Sequence, residues 1–299
     1  MKKIALVVPV HNHLEHTSKC IGNLDKLILK GSFKHSEFSI IVVDDGSTDG
    51  TYEWLVENYP SVDVVKGDGT LWWSGGVNAG ARYAIQDLKS DYILLWNNDI
   101  VPAGDYFVQM DKLIYKLESD TLLGSKIFYM GGEQRIWSCG GMFDPKSGKK
   151  YMVGMDKPDS DLYNSVLSVD WLPGMGTLVP VEAIHRIGYW DEKEFPQYHG
   201  DSDFTYRAKQ SGFNIIVHPG LRIWNDKSSS GLTHGDSIKG LIQFFTSIRS
   251  NLNIHKNVQF YRRHAVSWRA YGYLIGYYMK IIGGFMKWKI YALFGKYRD

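Results

Sequence analysis

Carboxylates placed at the ends of apolar runs are the residues of this chain best suited to chemistry. The run Ile40–Val43 has no charge and passes directly into Asp44, Asp45 and a Gly-Ser-Thr-Asp-Gly turn. Such a run reads as a strand buried on both faces, as in a parallel sheet. Ligands of open α/β sheets bind beyond the carboxyl ends of the strands. Paired aspartates there face donor groups: ribose hydroxyls, a base N–H or a metal ion. Ser47 and Asp49 are accounted for by turn chemistry and by capping of a helix from Thr51. A second apolar run, Tyr92–Trp96, ends in Asn97-Asn98-Asp99. Three acids therefore lie along one sheet edge, where a hard cation bridging phosphate oxygens would find carboxylate ligands. Asn97 and Asn98 offer only neutral oxygens, so the metal expectation rests on Asp99.

The elements that must position these groups alternate. Strands are expected at 3–10, 38–43, 62–65 and 92–96, helices at 14–29, 51–58 and 77–88, and a Gly-rich loop at 67–76. This βαβαβαβ order predicts an α/β fold, a mostly parallel central sheet flanked by helices. Further on, a helix at about 105–117 precedes strand-like pieces at 122–129, 135–143 and 169–179. The polar run 144–164 reads as a mobile loop or flap. A helix at 181–187, another running to Lys209 and a last strand at 213–217 complete this part, and from Ser237 the pattern is helical.

The 299 residues suffice for a large core, and the net charge of +2 conceals an asymmetry. From Ser237 onward there are eleven Lys or Arg and one acid. The split predicts an acidic body and a basic tail that meets an anionic surface. Cys20 and Cys139 form no disulfide framework, which favours a reducing compartment. No signal peptide and no run of about 18 apolar residues is apparent. Ten Trp and nineteen Tyr suit stacking on sugars.

Ordered motifs carry a resemblance. VVPVHN, VVDDGSTDGT, GTLWWSGGVNAGA, LLWNND, LPGMGTLVPVEAIHRIGYWDE and GDSDFTYRAKQSGF span roughly residues 3–235. Together they resemble family 2 glycosyltransferases of the GT-A fold, most of all bacterial rhamnosyltransferase-like enzymes of surface glycans. The resemblance implies a donor site containing Pro9, Asn12, Asp44, Asp45, Trp72, Gly75, Asn78 and Asn98. Asp99 would hold a divalent cation, Mg2+ or Mn2+, on the donor diphosphate. The segment Gly75-Gly76-Val77-Asn78 would open a helix whose N–H groups face that diphosphate. Trp171, Gly174, Met175 and Asp203 fall on the acceptor side. The family's general base is an acid at the start of the helix after the Gly-rich acceptor segment, here His199-Gly200-Asp201-Ser202-Asp203. Residues two apart share no helix face, and Asp203 is set to pair with Arg207, so Asp201 is the expected base. Gly200 stands where many relatives have Glu, and Asn225 where many have a metal-binding His; His218 and His234 are nearby substitutes.

The implied function is inverting transfer of a sugar from a UDP or dTDP donor to a saccharide or lipid-linked saccharide acceptor, in synthesis of O-antigen, capsule or a related polysaccharide. Two rivals are a sugar nucleotidyltransferase, whose Gly-rich basic loop after the first strand is missing, and a non-catalytic saccharide-binding relative. The expected division is a catalytic domain 1–236, with a nucleotide-sugar half 1–100 and an acceptor half 101–236, and a tail 237–299. On a helical grid Leu274, Ile275, Tyr278, Ile281, Ile282, Phe285 and Trp288 share one face, suiting a helix that lies in a membrane interface. The alternative is packing on the catalytic domain or on a second subunit of a homodimer. The expected place is cytoplasmic, peripheral on the inner face of the cell membrane, with no nucleic-acid partner.

Overall fold

The computed structural model describes residues 1–131, 135–226 and 237–293. The chain opens with β1 (Lys2–Val10), α1 (Leu14–Lys30), β2 (Ser36–Asp44), α2 (Thr51–Asn58), β3 (Asp63–Lys66), α3 (Trp72–Gln86) and β4 (Tyr92–Leu95). It continues through β5 (Ile100–Pro102), α4 (Tyr106–Ile114), β6 (Thr121–Tyr129), β7 (Ile136–Ser138), β8 (Gly141–Phe143) and β9 (Lys150–Met152). Then come β10 (Leu167–Ser168), β11 (Thr177–Pro180), α5 (Val181–Ile187), α6 (Gly200–Gln210) and β12 (Asn214–Asn225). The tail holds α7 (Ile238–Thr246), α8 (Ile254–His264) and α9 (Trp268–Leu293).

One ten-stranded sheet runs β10-β12-β6-β11-β4-β1-β2-β3, with β5 on β12 and β7 on β6. The β4-β1-β2-β3 half and the long β6–β12 pair are parallel, while β11 is antiparallel to β4 and β6. The two expected halves of the catalytic region thus share a single mixed sheet. Alternate residues of β1 face opposite layers: Ile4, Leu6 and Val8 join the core under α1 and α4, and Ala5 and Val7 the core under α3. Close approach of α3 requires Gly80, where a Cβ would lie 2.4 Å from Val7. With both faces covered, β1, β2 and β4 can be continuously apolar.

Three expectations change. The 144–164 run contains β9, paired with β8 in a hairpin, and a 3₁₀ turn at Asp161–Tyr163. The last strand extends to Asn225, with a register shift between His218 and Arg222. The tail is partly built into the protein. Phe260, Tyr261, Ala270, Leu274 and Tyr278 form a third core with Phe143, Trp171, Phe195 and Tyr206. Arg263 on α8 pairs with Asp191 at 2.6 Å and Asp203 at 3.0 Å. The residues expected on one face of α9 are split: Leu274 and Tyr278 are buried, whereas Ile275 is 64% and Ile282 37% exposed. The helix is apolar over two adjoining stripes, and its own fold covers only one.

Candidate active site

The site is assembled where β1, β2 and β4 end. Asp44 and Asp45 are 4% and 6% exposed, and each carboxylate holds backbone. Ser47 N–H donates to Asp44 Oδ1 at 3.0 Å. Gly69 N–H donates to Asp45 Oδ1 at 2.8 Å and Trp72 N–H to its Oδ2 at 3.1 Å. Asp45 therefore fixes the loop joining β3 to α3, and such charge-assisted bonds are the stronger kind. Asn12, at φ 58°, ties the end of β1 to the same edge: its N–H donates to Ser47 Oγ at 2.7 Å, and its Oδ1 accepts from Thr48 N–H at 2.9 Å.

The helix opening differs from expectation. α3 begins at Trp72, three residues before Gly75. Its first N–H groups are already engaged: Trp72 with Asp45, Trp73 with Gln197 Oε1 at 3.3 Å, Ser74 with the Pro196 carbonyl at 2.8 Å. Gly76 lies against Pro9, where a Cβ would be 2.9 Å from the Pro9 ring. Asn78 is 1% exposed and is occupied by Trp190 and Glu192. Gly75, Gly76 and Asn78 thus join α3 to neighbouring protein, and these N–H groups do not form an anion cradle.

The two tryptophans link the acids. Trp72 has φ 55°, and the Arg249 guanidinium from the tail lies 5.7 Å from its ring centre. Trp73 Nε1–H donates to Asn97 Oδ1 at 3.1 Å. The Trp73 ring also lies against Gly174, where a Cβ would come within 2.1 Å of it. Gly174 N–H in turn donates to Asp201 Oδ2 at 3.0 Å. Tyr198 feels both acids, its hydroxyl pushed up first by burial and then by the charges of Asp201 and Asp99. Asp45, Asp99 and Asp201 thereby border one continuous region, with Trp72, Trp73, Gly174 and Tyr198 between them.

Asp99 Oδ1 is buried without a hydrogen-bond partner, as is Asn225 Oδ1. Asn225 pairs in register with Ile100, next to Asp99. Burial first, and Asp226 second, raise the Asp99 carboxyl above its ordinary range. One carboxylate and one amide oxygen fit a hard cation whose other ligands are water and phosphate oxygens. Among the described residues no group of three or more His, Cys, Asp or Glu could hold an ion alone. Asn98 Nδ2 donates to Thr17 Oγ1 at 3.1 Å. Of the two substitutes, His218 accepts from Gly220 N–H within its own bulge, and His234 lies outside the described residues.

On α6 the two acids separate as helix geometry requires. Asp201 is raised by burial, against the opposing Lys150 charge and the backbone N–H bonds of Ser202, Gly174 and Asp201 itself. Asp203 is 0% exposed and its oxygens are taken, by Arg207 at 2.8 Å and by Arg263 and His264 of α8 at 3.0 and 2.9 Å. It is an anchor for the tail and has no surface to offer an acceptor. Met175 lies in the core beneath the sheet, and Trp171 packs in the third core. Gly200 is explained by space: a Cβ there would meet Ser74 Oγ at 2.2 Å. Lys150, His199, Tyr198 and Arg249 had no part in the sequence reading. The Asp-Pro-Lys-Ser-Gly turn between apolar pieces was a hairpin signal that would have brought Lys150 into view.

Comparison with known proteins finds relatives of the sequence and of the fold. The chain is 22% identical over 184 residues to the low-salt glycan biosynthesis hexosyltransferase of Haloferax volcanii, covering 58% of this chain and 54% of that one. It is 28% identical over 166 residues to the poly(ribitol-phosphate) beta-glucosyltransferase of Bacillus spizizenii, covering 54% and 23%. The chain thus spans about half the length, or less, of these relatives. Among solved structures, GalNAc-T7 with UDP, GalNAc and Mn2+ superposes with a TM-score of 0.57 at 12% identity, covering 93% of this chain and 57% of that one. Residues 1–349 of S. aureus TarS superpose with a TM-score of 0.52 at 16% identity, covering 87% and 69%. These likenesses show the GT-A fold. The model for glycosyl transferase family 2 matches residues 5–172, more than half of the chain, and the protein belongs to that family.

Proposed function

We propose that this glycosyltransferase moves a hexosyl group with inversion from a UDP- or dTDP-sugar to a hydroxyl of a saccharide acceptor in surface-polysaccharide synthesis. The observation that carries the reading is the Asp201 carboxylate, raised by burial and aimed by Gly174 N–H beside the Trp73 ring. A base of raised pKa accepts a proton more readily near neutral pH. As the acceptor oxygen bonds to the anomeric carbon, the bond to the diphosphate breaks and the nucleoside diphosphate leaves with the electron pair. The acceptor proton passes to Asp201. Asp99 and Asn225 would hold a divalent cation, which when bound neutralises the departing diphosphate. Because the α3 N–H groups are occupied, Arg249 is the protein cation best placed to add to that charge. Asp44 and Asp45 shape the nucleoside end.

The protein's site on the membrane is part of the same reading. No helix among the described residues is long and apolar enough to cross a bilayer. Ile275, Met279, Ile282, Met286 and Ile290 are 64%, 62%, 37%, 52% and 49% exposed along one stripe of α9. With Lys280, Lys287 and Lys289 nearby, this stripe suits an anionic lipid surface carrying the acceptor.

The test is a transfer assay with UDP-glucose, UDP-N-acetylglucosamine and dTDP-rhamnose, with and without Mn2+, the product anomer read by NMR. Transfer with inversion, dependent on Asp201, supports the reading. A retained anomer, or no melting shift with any nucleotide sugar, would sink it.

A further inference from the structure

The Lys150 ammonium is held in a pocket that belongs to three separate elements. It is presented by β9 and lies 2.9 Å from Ser202 Oγ and 3.1 Å from His199 Nδ1, both at the start of α6. Aromatic faces close the rest: the Phe260 ring of α8 at 3.8 Å and the Trp171 ring at 4.9 Å. No carbonyl or carboxylate takes a hydrogen bond from it among the described residues. His199 stands at φ 68°, a left-handed conformation that costs a non-glycine residue energy. That turn aims its ring at the lysine, and its Nε2 is buried without a partner. Ser202, which Lys150 grips, follows Asp201, whose Oδ1 accepts from Ser202 N–H at 2.7 Å. A cation so held fixes the turn that carries Asp201 and acts on its charge across a low-dielectric gap.

We propose that Lys150 is a positioning residue for Asp201, setting both the orientation of the α6 first turn and the base strength of its carboxylate. The inference rests on Asp201 as the base, and makes the β8–β9 hairpin and α8 parts of the catalytic apparatus. The groups acting on the lysine are Asp201 and Asp203 of α6 and His199 just before it; behind them His264 of α8 acts on His199 and bonds Asp203, and Arg263 of α8 is spent on Asp203 and Asp191. Burial keeps His199 far below its ordinary value, with the Lys150 charge as second cause, so its ring is neutral and its Nδ1 accepts from the ammonium. Burial also brings Lys150 down to about 7, against the opposing pull of Asp201 and Asp203. Lys150 thus changes charge near the pH at which a base must work, beside a carboxyl that burial has raised.

The test titrates the Asp201 side-chain carboxyl by NMR in the full chain labelled with ¹³C-aspartate, assigned with Asp201→Asn. Loss of the neighbouring cation in Lys150→Met should raise the Asp201 midpoint by about one pH unit, while Lys150→Arg keeps most of the wild-type value. The acidic limb of turnover on UDP-glucose should move by the same amount, a loss of about tenfold at low pH that recovers as pH rises. A structural lysine alone would lower activity without moving the limb. An unchanged Asp201 midpoint in folded Lys150→Met overturns the proposal. If that variant does not fold, the wild-type resonance decides: it must show a second inflection near the pH where Lys150 loses its proton, and a single inflection overturns the idea. The carboxyl titration needs no turnover. A shifted midpoint in an inactive chain would therefore keep the coupling and remove the transferase reading, and active protein with no shift would do the reverse.

Discussion

At the scale of the residue, two aspartates two positions apart on one helix have opposite environments and should fail in opposite ways. Asp201→Asn keeps the size and most of the hydrogen bonding but cannot take the acceptor proton. We expect an unchanged melting temperature, intact UDP binding and a loss of transfer of about 10²–10⁴-fold. Asp203→Asn leaves Arg207 and Arg263 facing a neutral amide in a site of 0% exposure. Breaking a buried pair in this way costs about 3–5 kcal/mol, so denaturant unfolding should show the loss. An inactive but fully stable Asp203→Asn would reverse the assignment. His199 supplies a pH signature. Its folded-state pKa lies well below the 6.5 of the unfolded chain, so the unfolded state binds the extra proton and stability drops as pH falls below that value. In His199→Asn, which tolerates the left-handed turn, this component is gone. The wild-type advantage in melting temperature should therefore shrink between about pH 6.5 and pH 5; a constant gap would mean that the ring is not buried neutral.

At the scale of the element, the loop before α3 depends on one side chain. Asp45→Asn can accept from Gly69 or Trp72 N–H but no longer holds both with a charge. Loss of a charge-assisted bond of about 1.5–3 kcal/mol should weaken UDP binding at least about tenfold by calorimetry. Equal affinity in the two proteins would show that the loop is held by other means. The strands that end in acids were legible because an uncharged run buried on both faces has no other common explanation. Helix α5 was also plain, from its apolar spacing between Pro180 and Gly188. What the sequence hid was set by distant partners. Gly75 and Gly76 looked like an anion loop, but the helix opens earlier, at Trp72, and the N–H groups of Trp73 and Ser74 there are taken by Gln197 and Pro196, over a hundred residues away. Lys150 sat in a polar run that resembles any surface loop, and only the aromatic rings of Trp171 and Phe260 give it a pocket. Asp203 was read correctly as the partner of Arg207, yet its ties to α8 lie 60 and 61 residues away.

At the scale of the whole molecule, the tail has a buried part and an outward part, and the two call for different tests. Truncation near Arg269 would strip Ala270, Leu274 and Tyr278 from the third core, so an unstable product says nothing about lipids. Ile282→Glu with Met286→Glu instead charges the exposed stripe and leaves that core intact. Full-length protein should sediment with anionic liposomes, the double variant should not, and salt should weaken the attachment because exposed charges are screened beyond about 10 Å at 0.1 M. Wild-type protein that ignores the liposomes would leave the stripe to a second subunit. The clamp of α8 on α6 also sets an order in time. Segment 254–264 leaves the ribosome seconds after 200–210, at roughly 5–20 residues per second. Until then Asp203 lacks Arg263 and His264, and Lys150 lacks its Phe260 lid. Nascent chains arrested at residue 253 should bind UDP and show no turnover, whereas release of the full chain switches activity on. The order of synthesis would then act as a timer: the turn that carries Asp201 is set only once α8 has emerged, and the exposed stripe of α9 follows it.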